Sequence, residues 1–194
     1  MLEGRRTRLE PLSPDHLNGL AEVGLEPAIW RWMPLTMTSK ADLQGFIDAA
    51  LAAQALGREQ AFATVDRSSG RIAGSTRYLN IEPAHRRLEI GYTWLAPAWQ
   101  KTALNSEAKL LMLEHAIERL GANRVEFKTD ARNDPSRNAL LGIGASFEGI
   151  FRRHMIVQQG VLRDSAYYSV IVDEWPAVRR HLEQRVERLS RPAA

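Results

Sequence analysis

Cysteine is absent from all 194 residues, which excludes a disulfide framework, a thiol nucleophile and any Cys-ligated metal. No run approaches the ~18 apolar residues that a membrane-spanning helix needs. The opening Met1-Leu2-Glu3-Gly4-Arg5-Arg6 lacks the apolar core of a signal peptide, so a cytoplasmic soluble protein is expected. Charge of one sign is also scarce. The 26 Lys and Arg against 23 Asp and Glu leave a net +3, spread along the chain rather than gathered on one face as nucleic-acid binders require. His85, His115 and His154 are scattered without metal-ligand spacing, so no metal is expected. What remains is ordinary: 44% hydrophobic and 25% charged residues, at a length that suits one well-buried core.

Periodicity divides the chain into an alternation of elements. Thr7–Leu12 alternates and meets Pro11, as an edge strand does. Ser13-Pro14 opens a short helix that Gly24 ends, and Ser39 with Asp42 forms a capping box before the apolar face Leu43, Phe46, Ile47, Ala50 and Leu51. Ala61–Val65 and Ile72–Ile81 make a hairpin, and Leu88–Leu95 is a further strand. Ser106–Leu120 is helical, with Leu110, Leu113, Ile117 and Leu120 on one face. Val125–Thr129 is a strand, Asp134-Pro135 opens a helix, and Phe147–Val157 with Val161–Val172 forms a final hairpin. Residues 1–175 read as one domain. Residues 176–194 read as a charged helix packed on it or extending from it, with Val178, Leu182, Val186 and Leu189 in a stripe. Three antiparallel-type strands followed by β-α-β describe a mixed α+β sheet.

The chemistry concentrates in Glu89–Lys109: a strand, the Pro97 turn, the polar stretch from Gln100 to Asn105, and a helix start. Helix N-termini expose unpaired N–H groups and a positive dipole end, so this layout can hold a phosphorylated ligand beside a strand that carries a base. Asn105 is also a good N-cap, and the two roles can coexist. Glu89 lies between Leu88 and Ile90 and faces opposite to them, either as a buried base or as a surface carboxylate paired with Arg77 or Arg87. The basic groups Arg86-Arg87 and Arg152-Arg153-His154 read as solvated faces; alternatively the second contacts a ligand phosphate or an acidic acceptor.

These segments, taken in order, resemble a known family. Arg8–Leu12, Leu88–Tyr92, Asn105–Leu111, Arg124–Asp130, Arg132–Arg137, Gly144–Gly149, Arg152–His154 and Asp164–Ser169 together resemble a GCN5-related N-acetyltransferase. Within that superfamily they resemble the branch that acetylates ribosomal-protein N-termini (RimJ/RimL-like), over roughly residues 5–175. The resemblance implies the GNAT-type acyl-CoA N-acyltransferase fold: a mixed, mostly antiparallel seven-stranded sheet splayed between strands 4 and 5, with helices on both faces. It implies acetyl-CoA as co-substrate, no metal, and transfer of acetyl to a primary amine, either a protein N-terminus or a small amine, by a monomer or homodimer. Glu89 is then the base and Ser136 the nearest proton donor, because the stretch after the fifth strand holds no Tyr. Trp94, Leu95, Gln100, Lys101, Thr102, Ala103, Leu104, Asn105 and Asn133 are the expected acetyl-CoA contacts, while Trp30, Trp32 and Tyr92 line the acceptor groove. One departure stands out: the family's pyrophosphate loop carries glycines where this chain has Ala103 and Asn105. That departure, with the missing Tyr, favours the competing reading of a non-catalytic CoA-binding module.

Overall fold

The computed structural model describes residues 1–190. Eight strands form one sheet: β1 (Leu2–Glu3), β2 (Thr7–Pro11), β3 (Gln60–Asp66), β4 (Ile72–Glu82), β5 (Arg87–Leu95), β6 (Arg124–Asp130), β7 (Ser146–Ile156) and β8 (Leu162–Ile171). Their spatial order is β1-β2-β3-β4-β5-β6-β8-β7. All neighbours are antiparallel except β5 and β6, which run parallel. The sheet thus has one strand more than the seven expected. The addition is the two-residue β1, too short to carry an alternation signal.

Six helices flank the sheet: α1 (Leu17–Gly24), α2 (Pro27–Trp30), α3 (Lys40–Ala55), α4 (Ala103–Glu114), α5 (Asp134–Gly142) and α6 (Trp175–Ser190). The capping box of α3 forms as expected: Ser39 Oγ accepts from the Asp42 N–H at 3.2 Å, and the Asp42 carboxylate accepts from the Ser39 N–H at 2.9 Å. Helix α4 differs from its sequence reading at both ends. It starts at Ala103, three residues before Ser106, and Thr102 rather than Asn105 is its N-cap. Its last turn widens into a π-turn over His115–Arg119. The extra residue per turn rotates Leu120 out of the apolar stripe, leaving it 58% exposed while Leu113 and Ile117 stay buried. Helix α6 docks by Val178 and Leu182 as its stripe predicts; residues 191–194 of that expected helix lie outside the described residues.

Two cores result. On one face, Leu88, Ile90, Val125, Phe127, Tyr168 and Val170 of the sheet meet Met112 and Leu113 of α4 and Leu182 of α6. On the other, Ala61, Ala63 and Trp94 meet Leu20, Leu43, Phe46 and Ile47 from α1 and α3. Each fully buried Leu or Phe contributes about 1.5–3 kcal/mol of transfer free energy. Helices α1 and α3 lie chiefly on β3 and β4 and reach β5 at Trp94 and Tyr92. Because side chains alternate, the continuation of that second face over β5, β6 and β8 carries Glu89, Lys128, Arg163, Ser165 and Tyr167 instead of apolar residues. The polar half of one sheet face is where a site can form.

Candidate active site

Strands β5 and β6 pair at only three rungs, Arg87–Arg124, Leu88–Val125 and Glu89–Glu126. Beyond Glu89, β5 bonds to β4 alone and β6 to β8 alone, so the sheet opens into a wedge with Glu89 at its vertex. Main-chain groups of β5 that point toward β6 past this vertex have no strand partner, and a backbone in that state needs a ligand or water.

Two bulges aim side chains at the vertex. Asn80 on β4 adopts φ 49 where the β4–β5 register shifts between Leu79 and Glu82, and its Nδ2 donates to Glu89 Oε2 at 2.8 Å. Tyr92 on β5 adopts φ 47 where the register shifts again, opposite the Ser75–Arg77 stretch. Glu89 is 2% exposed, and Lys128 Nζ on β6 donates to the same Oε2 at 2.8 Å. Its ion-pair partner is therefore Lys128. Arg77 pairs with Glu59 and Arg87 with Glu82 and Glu126, so neither of the surface pairings considered from the sequence forms. Oε1 is left for the open side. Gly91 makes room for it, since a Cβ there would meet Glu89 Oε1 at 3.1 Å and Leu79 Cδ2 at 2.9 Å.

The loop into α4 takes its left-handed residue at Lys101, φ 60. Ala103 and Asn105 have ordinary helical backbones inside the first turn of α4, so glycine is not needed at either position. Thr102 Oγ1 donates to the Trp99 carbonyl at 2.8 Å and accepts from the Leu104 N–H at 3.3 Å, while Gln100 Nε2 donates to the Leu95 carbonyl at 2.9 Å. The side chains of Ala103 and Leu104 are buried, which leaves main-chain N–H groups and the exposed Lys101 and Thr102 to face an anion.

At the far end of the wedge, Asn133 caps α5, its Oδ1 accepting from the Ser136 N–H at 3.2 Å. The half-buried Ser136 hydroxyl keeps no side-chain bond of its own among the described residues. Trp30 is placed differently from its reading as an acceptor-groove residue. Trp30 is buried in the α1–α3 core with its Nε1 on the Gly24 carbonyl at 2.7 Å, and Trp94 packs against it at 5.3 Å. Neither indole faces the acceptor side; Trp94 offers the wedge only its main chain. Trp32 is half-buried at the rim between Arg31 and Arg132, at 5.0 and 5.3 Å. Tyr92 is half-buried against the Arg77 guanidinium at 4.4 Å. Burial pushes its phenol pKa up.

The sequence did not point to the tip of the β7–β8 hairpin. Gln158 Nε2 donates to the carbonyls of Trp30 and Met33 at 3.2 and 2.8 Å, and Thr36 bonds to Gln158 Oε1. This ties the hairpin to the 30–36 segment across the polar face. Nor did sequence spacing give a role to Lys109. It lies on the buried face of α4 against β4 and β5, its Nζ donating to Thr93 Oγ1 at 2.6 Å and Thr76 Oγ1 at 3.3 Å, and burial pushes its pKa down to about 7.

Comparison with known proteins bears on the fold and the family. The family model described as an acetyltransferase (GNAT) domain matches residues 6–146. A crystal structure of a GCN5-related N-acetyltransferase from Brucella melitensis is 33% identical, covers 95% of this chain and 84% of its own, and superposes with a TM-score of 0.88. YoaA of Bacillus subtilis (strain 168), an uncharacterized N-acetyltransferase, is 28% identical over 105 residues, 54% of this chain and 58% of YoaA. This chain thus spans less than two thirds of YoaA's length. A Salmonella typhimurium acetyl transferase that modifies the N-terminal serine of ribosomal protein L7/L12 shares the fold. Its TM-score is 0.78 at 18% identity, covering 88% of this chain and 97% of that one.

Proposed function

This chain belongs to the GNAT acetyltransferase family, and on that ground we propose that it moves acetyl from acetyl-CoA to the primary amine of a protein N-terminus admitted over Glu89. The observation that carries the proposal is the wedge: a strand edge with unpaired main-chain groups, a carboxylate at its vertex and an anion-ready helix start at its mouth. The donor set fits a phosphorylated, extended thioester. The first-turn N–H groups of α4 with Lys101 and Thr102 take the pyrophosphate. The free edge of β5 and Asn133 take the amide-bearing arm.

When bound, acetyl-CoA supplies the activated acyl carbon. The acceptor amine must be neutral to attack it, so Glu89 takes a proton from the ammonium, directly or through water. The N–C bond would form as the C–S bond breaks; the second amine proton leaves the new amide nitrogen for water, and the departing thiolate takes up one proton from water or from Ser136, which water reprotonates. Lys128 and Asn80 hold the Glu89 carboxylate in place from one oxygen, leaving the other for the proton.

The preference for a polypeptide terminus over a compact small amine draws on the Gln158 tie, which holds the hairpin tip against the 30–36 segment and so bounds the acceptor side. The shared fold with a Salmonella enzyme acting on an N-terminal serine is in keeping with it. The left-handed turn falls at Lys101, so the loop bends without glycine at 103 or 105, which supports the catalytic reading over a non-catalytic module. The test is direct. Acetyl-CoA should raise the melting temperature in proportion to the logarithm of its concentration over its Kd. Glu89→Gln should keep that shift while turnover on peptide N-termini falls about 10²–10⁴-fold. Unchanged turnover in the variant would remove Glu89 as the base.

A further inference from the structure

Two arginines on the face that carries Glu89 are buried without a full set of partners. Arg163 on β8 is 5% exposed, and its Nε is buried with no acceptor. Among the described residues no carboxylate is in ion-pair contact with it. The groups that act on its charge through space are Asp130, Glu89, Tyr167 and Tyr92. Both carboxylates are committed elsewhere: Asp130 to Arg132 through bonds of 2.9 and 2.8 Å, and Glu89 to Lys128 at 2.8 Å. Arg77 on β4 is 4% exposed; its Nη1 meets Glu59 at 2.6 Å, but Nε and Nη2 have no acceptor. It lines a cavity of about 400 Å³ together with Tyr92 and Phe46. Tyr92 packs on the Arg77 guanidinium at 4.4 Å, and the charges of Arg77, Glu59, Glu89 and Arg163 all act on its phenol.

Burying a guanidinium without an acceptor costs folding free energy, because the desolvation is not repaid by a pair. Such a residue makes sense where a ligand brings the missing anion. Its planar fork matches a carboxylate in two parallel bonds, which a point charge such as Lys does not reproduce. The β6–β8 register places Arg163 just beyond Ser165, on the face of Lys128 and Tyr167 and toward the hairpin tip that Gln158 ties down.

We propose that Arg163 binds a carboxylate of the acceptor, with Arg77 adding a second cation, so that the acceptor is an amine that also bears a carboxylate. This inference rests on the acetyl-transfer reading and narrows it. Two sources supply the chemistry: an acidic side chain close to a peptide N-terminus, or the α-carboxylate of a free amino acid. A neutral amine or a polyamine supplies none.

The experiment uses the full chain with acetyl-CoA and matched acceptors. One arm compares peptides that differ by Asp against Asn, or Glu against Gln, at their first two positions. The other compares free amino acids with their carboxamides. The carboxylate member of at least one arm should show kcat/KM about ten-fold higher, the factor that one charge-assisted bond supplies. The arm that responds identifies the source. Arg163→Met should bring that ratio close to one through KM while the acetyl-CoA melting shift persists, and Arg163→Lys should restore part of it. Because it removes an unpaired buried charge, Arg163→Met should not lower the melting temperature. A variant that melts lower and keeps the carboxylate preference would make Arg163 structural and overturn the proposal. Turnover without preference in either arm overturns it and leaves the transferase reading intact. If no amine is acetylated, the transferase reading fails. The proposal is then decided by binding of the N-acetylated carboxylates against their amides, read by tryptophan fluorescence, and equal affinity refutes it.

Discussion

Lys109 offers a sharp quantitative test, because its amine is buried among hydroxyls without an anion. Its Nζ contacts are Thr93 and Thr76, and the thioether of Met112 also approaches Thr76. Burial lowers its pKa from 10.5 to about 7. The sign follows from proton counting. Between about pH 7 and 10.5 the unfolded chain holds a proton on Lys109 that the native chain has released, so stability rises with pH across that window. One proton corresponds to a slope near 1.4 kcal/mol per pH unit. Lys109→Met keeps a straight side chain of similar reach and has no proton to exchange. Urea denaturation of both proteins at pH 7.5 and 9.5 should therefore show the native protein gaining up to about 2.7 kcal/mol relative to the variant. Other titrating groups cancel in that difference. Parallel stability profiles would mean that Lys109 keeps its charge when folded, and the desolvation argument would be wrong.

Other substitutions probe separate parts of the framework. Glu107 is buried and its carboxylate accepts from the N–H groups of Arg5, Arg6 and Thr7 at 2.9, 2.8 and 2.6 Å. Glu107→Ala strands those donors and should cost about 3–5 kcal/mol by chemical denaturation; a loss below 1 kcal/mol would show that water replaces the carboxylate. Gly91→Ala should cost about 1–3 kcal/mol and lower kcat, because the new methyl group presses on Leu79 and Glu89. Full activity in that variant would show that Leu79 alone yields.

Local patterns carried most of the fold into the sequence. Strands β3 to β6, the Ser39 capping box and the first half of the α6 stripe reappear in the structure. What failed to show were features decided by distant partners or by backbone strain. The Glu89 partner, Lys128, lies 39 residues away on a strand whose neighbour is fixed only by topology. Asn80 reaches Glu89 through a left-handed bulge residue, which no propensity announces. Trp30 reads as a groove aromatic in the sequence, and only tertiary packing sends its indole into the core beside that of Trp94. Asn105 is a better N-cap by type than Thr102, but the Pro97–Trp99 turn brings the helix start earlier and sets the cap there. The polar face was half legible: Glu89 was readable from its apolar flanks, whereas Arg163 gave no signal, because an unpaired arginine and a solvated one read the same.

The Glu107 latch also bears on how the chain is made. It binds residues 5–7 from about 100 positions downstream, so the first strand cannot be secured at its outer side until α4 has been synthesised. At roughly 5–20 residues per second, that is a wait on the order of 5–20 s, with the amides of residues 5–7 held by solvent or by a chaperone. Residues 5–7 are thus fixed only after a segment about 100 positions later has been made.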